Sequence, residues 1–320
     1  MEGAWSRRPA TAVSRLSGRP LLLLSARDLL AAAGDVGVLL IALVAPAPAA
    51  SAGFARAARD AGAPLLLSRP SGAADEVGPE EARDDAAFVQ SALKAADELH
   101  FQGPLALLKE PPRAGSAAPE AERIRREIEV GFTGVAMATT AESTPAARDA
   151  ALVASHVCQL ELGLEIVPLG GSGALAAELV RQLKSRGAPP SALRLAEPDA
   201  AAASELAPVA ISTTSEVAAE QLARRGARQL VAAGPFLRAL ERAAPRELIE
   251  TLQRWADERG ATLEQAAARH QRLFRELPPA DLEKLEALCC FEAMELYARA
   301  RAANTAPAVV QRIATLAQKE

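Results

Sequence analysis

Residues 103–139 read GPLALLKEPPRAGSAAPEAERIRREIEVGFTGVAMAT. Pro104–Lys109 is a short apolar run of strand length that ends in a charged pair, Lys109-Glu110, and two prolines. Proline lacks the N–H that a ladder needs, so the strand stops there. Pro119–Val130 then carries apolar residues at helical spacing among arginines and glutamates, and Gly131 follows as a helix stop, since glycine adopts the left-handed conformation at little steric cost. Gly134–Thr139 is a second apolar run. Strand, helix, strand in this order is the unit of a parallel sheet.

The same alternation extends both ways. Strands are expected at Val36–Val44, Ala63–Ser68, Pro104–Lys109, Gly134–Thr139, Leu164–Val167, Ala192–Ala196, Val209–Thr213 and Arg228–Ala232. Amphipathic stretches separate them, and Gly62, Gly103, Gly163, Gly187 and Gly226 stand between a helix and the next strand. Eight strands, each followed by a helix, predict an α/β fold, a (β/α)8 TIM barrel. Ser25 is placed to cap a short helix ahead of the first strand, with Asp28 at its third position. After Ala232 the pattern is wholly helical. The division expected is a flexible arm over 1–23, a barrel over 24–243 and a helical extension over 244–320 packed on the barrel.

The 320 residues carry a net charge of −4, with 50% hydrophobic and 3% aromatic residues. That balance gives no basic field for nucleic acid phosphates and too few rings for base stacking. The apolar run Val36–Val44 falls short of the roughly 18–20 residues of a membrane span. No nucleic acid or membrane partner is expected. Cys158, Cys289 and Cys290 are too few and too irregular for a disulfide framework, and a reducing cytoplasm fits them. In the C-terminal part, LEALCCFEAMEL is more apolar than one buried helix face requires, so a homodimer or hetero-oligomer is expected to use this region or barrel helices beside it.

Barrel chemistry sits at the C-terminal ends of the strands. The residues placed there are Lys109 and Glu110 after one strand, Glu165 on the next but one, Glu197 and Asp199, and then Ser212, Thr213 and Thr214. Glu110 is the candidate general acid/base. Lys109 is the lysine that could form a Schiff base, although strand alternation turns it outward if Glu110 turns inward. Ser212, Thr213, Thr214 and Gly234 precede helix starts and could hold a phosphate through hydroxyl and backbone N–H groups, or could serve as ordinary caps. His100, His156 and His270 all fall away from strand ends, so no nitrogen-ligated metal site and no cofactor are expected. A carboxylate-only magnesium site through Glu110, Glu197 and Asp199 stays open.

Several of these segments resemble the class II, metal-dependent fructose- and tagatose-bisphosphate aldolases. Residues 24–72, LSARDLLAAAGDVGVLLIALVAPAPAASAGFARAARDAGAPLLLSRPSG, look like the opening of those enzymes. GPLALLKEPP stands where they carry His-Leu-Asp-His-Gly. EIEVGFTGVAMATTA and LGLEIVPLGGSG look like two later strands, and ARQLVAAGPFLRALERA is similar to the last strand and helix of the tagatose-bisphosphate aldolase accessory subunit. The likeness runs over roughly residues 24–300.

By this resemblance Glu110 falls on the catalytic aspartate, and Glu165 on a strand glutamate. Pro111 and Leu108 fall on histidines, Ala138 on an aspartate and Val167 on a second glutamate. ALRLAEP and PVAISTTSE carry no counterpart of the later metal histidines. In the family the metal polarises the ketose carbonyl. The resemblance therefore implies a degenerate aldolase-like barrel without catalysis, acting as an accessory subunit, scaffold or ligand sensor for a phosphorylated small molecule. The alternative is an active lyase that cleaves a phosphorylated ketose by a metal-independent or non-histidine-metal route.

Overall fold

A computed structural model describes residues 2–71, 79–111, 120–139, 146–168, 173–195, 208–213 and 227–318. Nine strands form: β1 (Leu22–Leu23), β2 (Leu40–Val44), β3 (Leu65–Arg69), β4 (Pro104–Lys109), β5 (Gly134–Thr139), β6 (Gly163–Pro168), β7 (Ala192–Leu195), β8 (Val209–Thr213) and β9 (Ala227–Ala232). Strands β2 to β9 pair in parallel with their chain neighbours, and β9 pairs with β2, so the sheet closes into an eight-stranded barrel. The expected barrel is the one observed. Because all eight strands run the same way, Lys109, Thr139 and Thr213 end on one rim.

Alternation along each strand divides two cores. Leu40, Ala42 and Val44 of β2, Leu66 of β3, Ala106 and Leu108 of β4, and Val231 of β9 fill the lumen. Their neighbours Ile41, Leu43, Leu65, Leu67, Leu105 and Leu107 face the surrounding helices. The helices with described bounds between strands are α4 (Pro48–Ala61), α5 (Pro79–Glu98), α6 (Glu120–Val130), α7 (Ala146–Gln159) and α8 (Gly173–Ser185).

The N-terminal segment corrects the expectation of a flexible arm. It holds α1 (Glu2–Trp5), α2 (Ala10–Leu16) and β1, with Ala4, Ala12 and Leu16 buried. Strand β1 pairs with β4 at the N-terminal end of the barrel, and α3 (Ala26–Asp35) follows. Its cap is the expected one: Asp28 N donates to Ser25 Oγ at 3.0 Å. Leu29 and Leu30 of α3 join the lumen cluster, so this helix plugs the base of the barrel. Ala26 sits so close to β6 that a Cβ on Gly163 would lie 2.7 Å from the Ala26 Cβ. Arg7 pairs with the Asp28 carboxylate at 2.9 Å, which ties the terminal helices to the plug.

After β9 come α9 (Gly234–Ala243), α10 (Arg246–Arg259), α11 (Leu263–Arg269), α12 (Gln271–Arg275), α13 (Pro279–Arg299) and α14 (Ala306–Ala317). Helix α13 lies against α4 and α9. Its approach to α4 requires Gly53, where a Cβ would stand 2.4 Å from the Glu286 carbonyl oxygen. Helix α14 returns to α1 and α3 at the base. No described helix is long and apolar enough to cross a membrane.

Candidate functional site at the barrel mouth

The lumen's polar centre is a carboxylate held by three strands. Glu165 of β6 points inward and is buried. Arg194 of β7 donates its Nε to Glu165 Oε2 at 3.0 Å, and its Nη2 bonds the same oxygen. Gln229 of β9 donates its Nε2 to Glu165 Oε1 at 2.8 Å. Ala210 of β8 lies in register between Arg194 and Gln229. A residue with no atom beyond Cβ leaves room there for the longer side chains to converge.

Glu110 stands above this centre, just past β4. Its amide donates to the Arg69 carbonyl at 3.0 Å, which keeps it in line with the sheet. Its Oε1 accepts from Ser68 Oγ at 2.8 Å and lies 3.7 Å from Arg194 Nη1. Its side chain is 21% exposed, against 5% for Arg194. Burial opposes the charged form of Arg194, and Glu165 and Glu110 more than offset it, so the guanidinium holds its proton more tightly than usual. Two carboxylates and one permanent cation therefore share the lumen.

Lys109 is elsewhere. It points out of the barrel, as alternation demands, and is buried under α5. Its Nζ lies 2.8 Å from Asp85 and 3.0 Å from Glu81. Burial lowers its proton affinity, and Asp85 and Glu81 raise it further than burial lowers it. A lysine kept charged outside the lumen is unsuited to Schiff-base attack. Its outward direction is the one alternation implies once Glu110 turns inward.

Ser212 and Thr213 lie on the last part of β8, paired with Val231 and Ala232 of β9. Thr214, Glu197 and Asp199 fall outside the described residues. Gly234 is buried at the first position of α9, whose N-cap residue Ala233 makes no side-chain cap bond. The histidines are all off the lumen. His100 lies in the turn after α5 with a positive φ, His156 is exposed on α7, and His270 stacks edge-on with Trp255 at 5.4 Å.

The described donors in the lumen, Glu165 and Glu110 beside Arg194, do not fit a catalytic metal. Glu165 already accepts from a guanidinium, and that cation would repel a second one close by. Among the described residues, no group of three His, Cys, Asp or Glu side chains could hold a metal.

Arg194, Gln229 and Ser68 were missed by sequence reasoning. Arg194 did leave a signal, since it is the one charged residue in ALRL and its neighbours Leu193 and Leu195 must face the helices.

Solved structures share this overall fold. The YdjI aldolase from Escherichia coli K12 superposes with a TM-score of 0.61 at 14% identity, over 89% of this chain and 99% of that one. The shared fold is the (β/α)8 barrel. A fructose-bisphosphate aldolase from Campylobacter jejuni gives a TM-score of 0.59 at 11% identity, over 88% of this chain and 96% of its own. No protein-family model matches this chain, and no curated protein does.

Proposed function

We propose that this aldolase-like barrel is non-catalytic and serves as an accessory subunit, scaffold or ligand sensor for a phosphorylated small molecule. The observation that carries the reading is the Arg194–Glu165 pair in the lumen. Glu165 is the carboxylate matched to the aldolases, and it is spent on a guanidinium. A guanidinium offers charge and N–H groups but no open coordination position, so it cannot act as the metal does on a ketose carbonyl. The phosphate would bind higher, near Ser212, Thr213, Thr214 and the start of α9 at Gly234, where backbone N–H groups of a helix start favour an anion.

The test uses protein purified without chelator and assays it for zinc and for cleavage of ketose bisphosphates. The expected result is no stoichiometric zinc and no cleavage above background, with Glu110→Gln indistinguishable from wild type. A second reading, an active lyase, is favoured by one contact: Glu110 is partly exposed and stands beside the Arg194 cation. Robust wild-type cleavage that Glu110→Gln abolishes would establish it and overturn the first.

The non-catalytic reading also includes a dimer or hetero-oligomer through α13. Phe291 on that helix is 54% exposed. Light scattering of the purified protein should report a dimer, or a partner should copurify; a lone monomer at micromolar concentration counts against it.

A further inference from the structure

Behind the mouth, on the outer side of β4, lies a buried cluster of charge that the site does not use. Lys109 of β4 is shared between Glu81 and Asp85 of α5, and Arg69 of β3 also reaches Asp85, at 3.3 Å. On α6, Arg123 is shared between Glu120 and Glu127, and its Nη2 donates to the Ala136 carbonyl of β5 at 2.8 Å. The strand β5 brings no charged side chain of its own. Four carboxylates thus draw on three buried cations. Arg126 of α6 is a fourth cation, lining the cleft beside them.

Glu127 has the poorest share. Its Oε1 takes Arg123, while its Oε2 is buried with no hydrogen-bond partner among the described residues. Arg126 Nε, also buried, has none either. Both residues line a cleft of about 20 Å³ between α5 and α6, together with Glu81, Asp85, Arg123 and Val130. That space suits one water molecule.

We propose that the seam between α5 and α6 is a proton-operated joint. It is closed while Glu127 carries a proton and loosened when Glu127 ionises and faces Asp85 and Glu81 across the cleft. Burial is the main reason the proton stays, and it pushes the Glu127 carboxyl up to about 7 against the pull of Arg123 and Lys109. The joint bears on the mouth because Glu120 and Arg123 tie α6 to Ala138 and Ala136 of β5. Lys109 also adjoins Glu110 in the chain.

The sign follows from linkage. A carboxyl that holds its proton more tightly when packed than when free favours the packed state at low pH. That advantage is whole below the ordinary carboxylate range and is lost as pH rises towards about 7, beyond which it stays level.

The experiment is amide hydrogen exchange of the full chain at about pH 5 and about pH 8, corrected for intrinsic exchange. Protection over residues 120–130 should fall on the order of tenfold between the two, more than in the barrel strands, and Glu127→Gln should remove that extra fall. An infrared difference spectrum of wild type between the same pH values should show loss of a protonated-carboxyl C=O band, and this readout does not depend on a variant that folds. No loss of that band, or the same pH dependence in Glu127→Gln as in wild type, overturns the proposal.

Discussion

Arg194→Met is expected to lower the free energy of unfolding by about 3–5 kcal/mol, the usual cost of removing one partner from a buried ion pair. The cause is the group left behind. Glu165 sits in the lumen with its side chain 2% exposed, and without the guanidinium its remaining hydrogen-bond partner among the described residues is the Gln229 amide. Methionine fills much of the arginine's volume, so the loss reports the stranded charge more than a cavity. A second change separates the two effects. Arg194→Met combined with Glu165→Gln should recover most of the loss, because a neutral amide can remain paired with Gln229. Urea unfolding curves for the wild type, both single variants and the double variant form the cycle. A single-variant loss below about 1 kcal/mol, or strict additivity in the double, would show that the pair is not the lumen's electrostatic centre.

Lys109→Met should cost a similar amount, about 3–5 kcal/mol, for a reason on the other side of the sheet. Lys109 is 1% exposed and neutralises both Glu81 and Asp85. Removing it takes a buried cation from both carboxylates, with Arg69 still at Asp85. Lys109→Met with Asp85→Asn should regain part of the stability. This variant also separates a structural lysine from a Schiff-base lysine. Borohydride treatment of wild type with a ketose phosphate should trap no adduct on Lys109. A trapped adduct together with unchanged stability in Lys109→Met would return this lysine to the catalytic machinery.

Much of the fold was legible in the chain because its signals are local. Apolar runs of strand length, amphipathic stretches and glycines such as Gly62, Gly131 and Gly187 are features of a few consecutive residues, and each of these three glycines takes a positive φ. The Ser25 cap was legible for the same reason, since Asp28 N is three residues away. What escaped was anything stabilised by partners distant in sequence. Two leucines, Leu22 and Leu23, are too short a run to announce a strand, and they become one only because β4 offers its free edge below the point where it meets β5.

The site divides along the same line. The sequence alone determined that no histidine stands at a strand end, that a carboxylate survives at Glu110, and that Lys109 and Glu110 must face opposite ways, because pleating alternates side chains whatever the surroundings. Tertiary structure decided what those residues meet. Glu110 joins Ser68, 42 positions away; Glu165 joins Arg194 and Gln229, 29 and 64 positions away; Lys109 joins α5 in place of the mouth. Closing the barrel brings β6, β7, β8 and β9 side by side. Which buried charge is neutralised by which partner depends on register between strands and on the small size of Ala210 between them. Both are properties of the closed sheet, and no single segment of the chain contains either.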